Sequence, residues 1–157
     1  MPRLSTALYV LLAVALALAV FLVYARCQKD AGRKVQGPSM EPAISDGDTI
    51  HVSDYGDESP QRGDIVLYRF PEDTKNEFLG RIVGKPGETV EVRDGLVLID
   101  GSPLDEPYIA DKAQYSYGPK KVPPNNYFVL GDNRNNSFDS HAWGFLPAEN
   151  IIGRVEK

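Results

Sequence analysis

The sequence predicts a mainly β protein: an antiparallel, barrel-like domain carried behind one N-terminal transmembrane helix. Three observations predict it. An uncharged apolar run occupies residues 4–25, the remainder alternates short apolar runs with polar stretches, and turn-forming residues separate those runs. After Ala25 no stretch sustains a helical period, apart from a possible turn near 147–150. Many short strands at close spacing imply a compact barrel or a folded-over antiparallel sheet.

The helix comes first. "LSTALYVLLAVALALAVFLVYA", Leu4 to Ala25, carries no charge. About 20 apolar residues in a helix cross the hydrocarbon layer of a bilayer. Tyr9 and Tyr24 lie near its two ends, where interfacial rings are favoured. A cleaved signal peptide is the rival reading, but the run is longer than a usual apolar region of about 7–15 residues and no small-residue cleavage site follows. "VYARC" is like a lipoprotein cleavage site, with Arg26 a poor fit before Cys27. The chain thus divides into a tail at 1–5, an anchor at 6–25, a linker at 26–35 and a β-rich domain at 36–157. Arg26, Lys29, Arg33 and Lys34 follow the anchor and only Arg3 precedes it. A Lys/Arg count alone would put the domain in the cytoplasm, but that rule weakens when a long domain follows the helix.

Seven runs read as strands in chain order: 48–52, 64–70, 77–84, 89–93, 96–101, 126–131 and 151–156. "VEVRDGLVLIDG" is a hairpin with Asp94-Gly95 at its tip. A formal net charge of −5 gives no sign of a nucleic-acid partner. One cysteine, Cys27, excludes an internal disulfide framework, and two histidines, His51 and His141, are too few for a lone zinc site. No metal or cofactor is expected.

Two segments are more specified than a loop requires. "QGPSMEPAISDGDTI" wedges Ser39 between Pro38 and Met40, and "GDNRNNSFDSHAWG" runs polar from Gly131 before closing on Trp143. Singly, each residue is a loop residue. Together with "RGDIV" and "RIVGKPGE", the blocks resemble, in order and spacing, the type I signal peptidases, membrane-anchored serine proteases that remove signal peptides from exported proteins. The resemblance covers about Gln36 to Arg154.

The resemblance implies a barrel-like antiparallel signal-peptidase fold and places site roles on this sequence. Ser39 falls on the nucleophile, with its backbone N–H serving the oxyanion. Ser137 matches the serine that orients the catalytic lysine, Asp139 an acidic residue that buttresses the site, and Asp132 with Arg81 a structural ion pair. Met40 would lie beside the substrate groove, where extended signal peptides of exported preproteins pair with strand edges. Membrane lipid is a further partner and the peptidase domain is extracytoplasmic. His141 stands where the family has arginine.

The family's base is a lysine directly before the arginine of "RIVGKPGE". Here that position is Gly80, which can neither accept nor donate a proton. Lys75 and Lys85 each lie five residues away, about 16 Å along a strand and on the opposite face, beyond a lysine's reach. His141, near Asp139, is the more interesting substitute, because Ser–His–Asp is a proven constellation; His51 has less support. Two readings follow: a signal peptidase I-like serine endopeptidase cleaving after small residues, or a catalytically impaired paralogue that binds signal peptides or modulates an active partner. A purely scaffolding β-domain is a third, against which Ser39 and the intact last block speak.

Overall fold

The computed structural model describes residues 6–29 and 32–156. They fall into two units that divide after Gly32. The first is a single helix, α1 (Thr6–Lys29). Its described side chains, Tyr9 and 11–21, are exposed on every side, although all are apolar or aromatic. Among the described residues no helix is long and apolar enough to cross a membrane. The anchor expected at 6–25 therefore finds no support there: it extends past the described side chains. The tail expected at 1–5 lies wholly outside the described residues.

The second unit is built of strands. In chain order they are β1 (Arg33–Lys34), β2 (Thr49–Ser53), β3 (Ile65–Phe70), β4 (Asp73–Gly84), β5 (Thr89–Arg93) and β6 (Leu96–Ile99). There follow β7 (Ser102–Pro103), β8 (Tyr117–Lys121), β9 (Asn126–Leu130), β10 (Leu146–Pro147) and β11 (Ile151–Glu156). A seven-stranded sheet runs β1-β2-β11-β3-β4-β9-β10, and a four-stranded sheet runs β7-β6-β5-β8. The strand pairings among the described residues are all antiparallel. The β5–β6 hairpin closes on Asp94 and Gly95, both at positive φ (53° and 77°), as a two-residue turn between right-twisted strands requires.

Four strands were not expected: β1, β7, β8 and β10. Three are two residues long, too short to show a period. β8 reads "YGPKK", whose Gly-Pro pair looks like a turn; it sits at the edge of its sheet, where proline is tolerated. The domain also begins earlier than 36, because Arg33 and Lys34 pair with β2. The turn near 147–150 is a short 3-10 helix, Ala148–Asn150.

β4 organises the domain, because it pairs with β3 on one side and β9 on the other. Its first half is exposed and its second half buried. The period-2 rule then splits its inner residues. Ile82 joins a core with Val66, Tyr68, Val129 and Leu146. Val83 joins another with Val90, Phe128 and Leu130 under the smaller sheet. Leu79 packs on a third, made by Val35, Met40, Ile44 and Ile50. Gly80 shares the face of Ile82.

Candidate active site

The geometry follows from one register. Arg81 pairs with Leu130, so the next residues in each direction, Gly80 and Gly131, face each other across β4 and the end of β9. Opposed residues point to the same face, with Cβ positions about 4.5–5.5 Å apart. A Cβ at Gly131 would collide with the Ser137 hydroxyl and lie 2.5 Å from the Ser39 carbonyl oxygen. Only glycine lets the 37–41 loop and the 131–139 loop close on the strand this tightly. A Cβ at Gly80 would lie 3.2 Å from Tyr68 Cε1 and 3.3 Å from Val129 Cβ. A side chain at 80 would thus emerge beside Ser39 and Ser137. Gly131, opposite Gly80, is thus where Ser39 and Ser137 meet.

Ser39 is held by its backbone. Its carbonyl accepts from Asn133 N–H at 3.0 Å, and the Pro38 carbonyl accepts from Asn133 Nδ2 at 3.2 Å. Asp46 Oδ1 accepts from Gly37 N–H at 2.8 Å, where φ is +90°. The Ser39 and Ser137 hydroxyls have no hydrogen-bond partner among the described residues.

The acidic residues are buried and paired. Arg81 donates to both oxygens of Asp132, Nε to Oδ1 at 2.8 Å and Nη2 to Oδ2 at 2.5 Å, and Nη1 donates to the Gly63 carbonyl. Asp132 is wholly buried, and one bidentate guanidinium satisfies it. Asp139 accepts from Gly131 N–H at 2.9 Å and from His141 N–H at 3.1 Å. It thereby caps the short helix α2 (Ser140–Trp143), which a sequence period cannot reveal at four residues. His141 Nδ1 lies 2.7 Å from Asp139 Oδ1, and its ring stacks on Tyr115 at 3.9 Å between centroids.

The remaining candidates are further from the chemistry. Lys75 is exposed on the outer half of β4, and the Lys85 backbone N–H is tied to Glu88 in the turn after β4. His51 is exposed on β2, opposite Glu156. Met40, expected beside the groove, is fully buried. It supports from behind a groove of about 340 Å³ lined by Ser39, Val35, Ile50, Leu67, Phe78 and Leu79 among others. Lining and support differ because Val35 and Ile50 face both the groove and Met40's cluster.

Comparison with known proteins decides what this arrangement belongs to. The family described as "Signal peptidase, peptidase S26" matches residues 4–157. This chain belongs to that family. A signal peptidase I of Leptolyngbya laminosa is 45% identical over 132 residues, covering 78% of this chain and 65% of that protein. A probable signal peptidase I-1 of Synechocystis is 43% identical over 154 residues, covering 92% of this chain and 77% of that protein. The crystal structure of a signal peptidase I from Enterococcus faecalis superposes with a TM-score of 0.57 at 34% identity, over 63% of this chain and 98% of that one. The mainly β, curled antiparallel fold is thus the signal peptidase fold.

Two features of this signal peptidase family member escaped the sequence reading. Tyr68, read only as a strand residue, borders Gly80; a cross-strand diagonal to the glycine was the available signal. A buried relay also ties the 104–112 loop to the site. Arg81 stacks over Tyr108 at 4.0 Å, Tyr108 Oη donates to Glu106, and Glu106 takes a bidentate contact from wholly buried Arg134. Arg134 Nε returns to the Gly131 carbonyl at 3.1 Å. These residues are far apart in sequence, so no local spacing pairs them.

Proposed function

We propose that this chain is a signal peptidase I-like serine endopeptidase that cleaves signal peptides from exported preproteins after small residues, with Ser39 as nucleophile. The observation that carries the reading is the convergence of Ser39 and Ser137 on Gly131, with Ser39 lining a groove of mixed polar and apolar residues. Ser137 and Asp139 support the site, and the Arg81–Asp132 pair fixes β4 to the loop after β9. The uncharged run from Leu4 to Ala25 supports a single-pass membrane anchor, with membrane lipid around it and the peptidase domain extracytoplasmic. The first-named relative is half as long again as the matched stretch, so further segments of such enzymes fall outside this comparison.

The absence of a base at Gly80 favours a second reading: an impaired paralogue that binds signal peptides, beside an active partner. The experiment that separates them uses purified full-length chain in detergent with a preprotein carrying small residues at its cleavage site. Cleavage lost in Ser39→Ala supports the enzyme. Preprotein binding without cleavage supports the impaired paralogue.

A further inference from the structure

The groove beside Ser39 is crossed by an ion pair at its far end. β1 is an edge strand of the seven-stranded sheet, and β4 pairs with β9 only from Arg81 onward, so the outer half of β4 leaves its other edge open. These two open edges wall the groove. Leu79 stands at the reaction end, one residue before Gly80, whose partner Gly131 lies against Ser39. Glu77 lies three residues before Gly80, about 10 Å along the strand. There Arg33 reaches across from β1, with Nη1 2.5 Å from Glu77 Oε2. Both side chains are well exposed, at 50% and 37%, so the pair is screened by solvent and exchanges partners readily.

The charges at this end are unequal. Lys34, next to Arg33, also lines the groove and has no ion-pair partner among the described residues. Arg69 lies opposite Glu77 in the β3–β4 register, on the same face. Asp73 and Lys75, further out on β4, carry opposite charges and cancel. Three cations thus stand around one carboxylate. Arg33 gives that carboxylate a single contact, and a guanidinium has five N–H donors, so a second carboxylate can be held beside the first.

We propose that Arg33, Lys34 and Glu77 give the groove a charge preference: it favours an acidic side chain about four residues before the cleaved bond and disfavours a basic one there. The inference rests on the endopeptidase reading, which lays the segment before the bond in this groove. An extended peptide advances about 3.3 Å per residue, so a side chain three residues upstream of the one cleaved at Ser39 comes level with Glu77. A carboxylate there pairs with Arg33 and Lys34 while Glu77 keeps its contact. An ammonium there reaches Glu77 only by displacing Arg33, and it then faces the remaining cations.

The test uses the full chain in an uncharged detergent and a labelled signal-peptide series with small residues at the cleavage site. Single positions from the second to the sixth before the bond carry Glu, Gln or Lys. Binding is read by fluorescence anisotropy, which needs no turnover, and kcat/KM is measured wherever cleavage occurs. At low salt Glu should bind roughly two- to fivefold more tightly than Lys near the fourth position. The difference should fade in about 1 M salt, where the screening length is about 3 Å. Arg33→Glu should reverse the order, Arg33→Gln should flatten it, and Glu77→Gln should widen it. A merely structural ion pair would shift all three peptides together. Equal binding of the Glu and Lys peptides at every position, or an order unchanged in both Arg33 variants, overturns the proposal and leaves the peptidase reading standing. If no peptide of the series binds or is cleaved, the peptidase reading falls and the charge preference with it.

Discussion

The loop from Gly131 to His141 and the strand around Gly80 lie face to face, and they differ in how their polar groups are met. On the loop, Asp132 holds Arg81, Asp139 holds two backbone N–H groups and a histidine, and Ser140 Oγ accepts from Val129 N–H. At Gly80 there is no side chain, and the neighbouring phenol is unpaired. The loop residues serve the fold as well as any chemistry. A lysine at 80 would serve chemistry alone, since burying its ammonium is costly and a desolvated amine is held at the expense of stability. The frame residues carry structural roles that a base at 80 would not share.

The strongest way to break this comparison is Ser39→Ala. Loss of the nucleophile should lower preprotein cleavage by at least ~10³-fold. Equal cleavage by the variant would remove Ser39 from the chemistry and make the shared frame irrelevant to activity.

Gly80→Lys is the next largest. A positioned base contributes roughly 10²–10⁴-fold, so kcat/KM should rise by about that factor. The same variant should lower Tm, because the new Cβ presses on Tyr68 and Val129. A stabilised variant without a gain in rate would mean that the gap is not where catalysis fails.

The frame itself is tested by Asp132→Ala, which leaves the Arg81 guanidinium without its carboxylate at a mostly buried site. Removal of one partner of such a pair costs about 3–5 kcal/mol, read from urea unfolding. A loss under about 1 kcal/mol would show the pair to be incidental.

The smallest effect is expected from His141→Ala. Asp139 keeps its two backbone donors, so stability should fall by only about 0.5–1.5 kcal/mol and cleavage by less than tenfold. A loss of two orders in rate would instead identify His141 as a relocated base and sharpen the contrast with Gly80.

The β architecture was legible where residues carried it locally. The Asp94-Gly95 tip demanded positive φ, and the apolar runs of β3 and β9 announced buried strands. β4 was legible only from its apolar half. Its outer residues Asp73 to Asn76 are polar and exposed, and they belong to the strand through a bend against Phe70. At the site, the blocks around Ser39 and Ser137 could be read from their resemblance to a family. Tyr68 could not, because its part depends on which strand lies beside β3 and at what register. The burial of Met40 was not legible for the same reason: sequence gives adjacency to Ser39 but not the direction in which the loop turns its side chains.

Gly80 also constrains how this lineage could change. No single base change turns a glycine codon into a lysine codon, and the shortest routes pass through arginine or glutamate. Either would put a larger or an oppositely charged group against the buried Tyr68 ring, in a site already crowded at its first carbon. A glutamate would in addition put a carboxylate at a buried position, where its charge is costly. A route from this glycine to a lysine therefore crosses intermediates that the site accepts poorly.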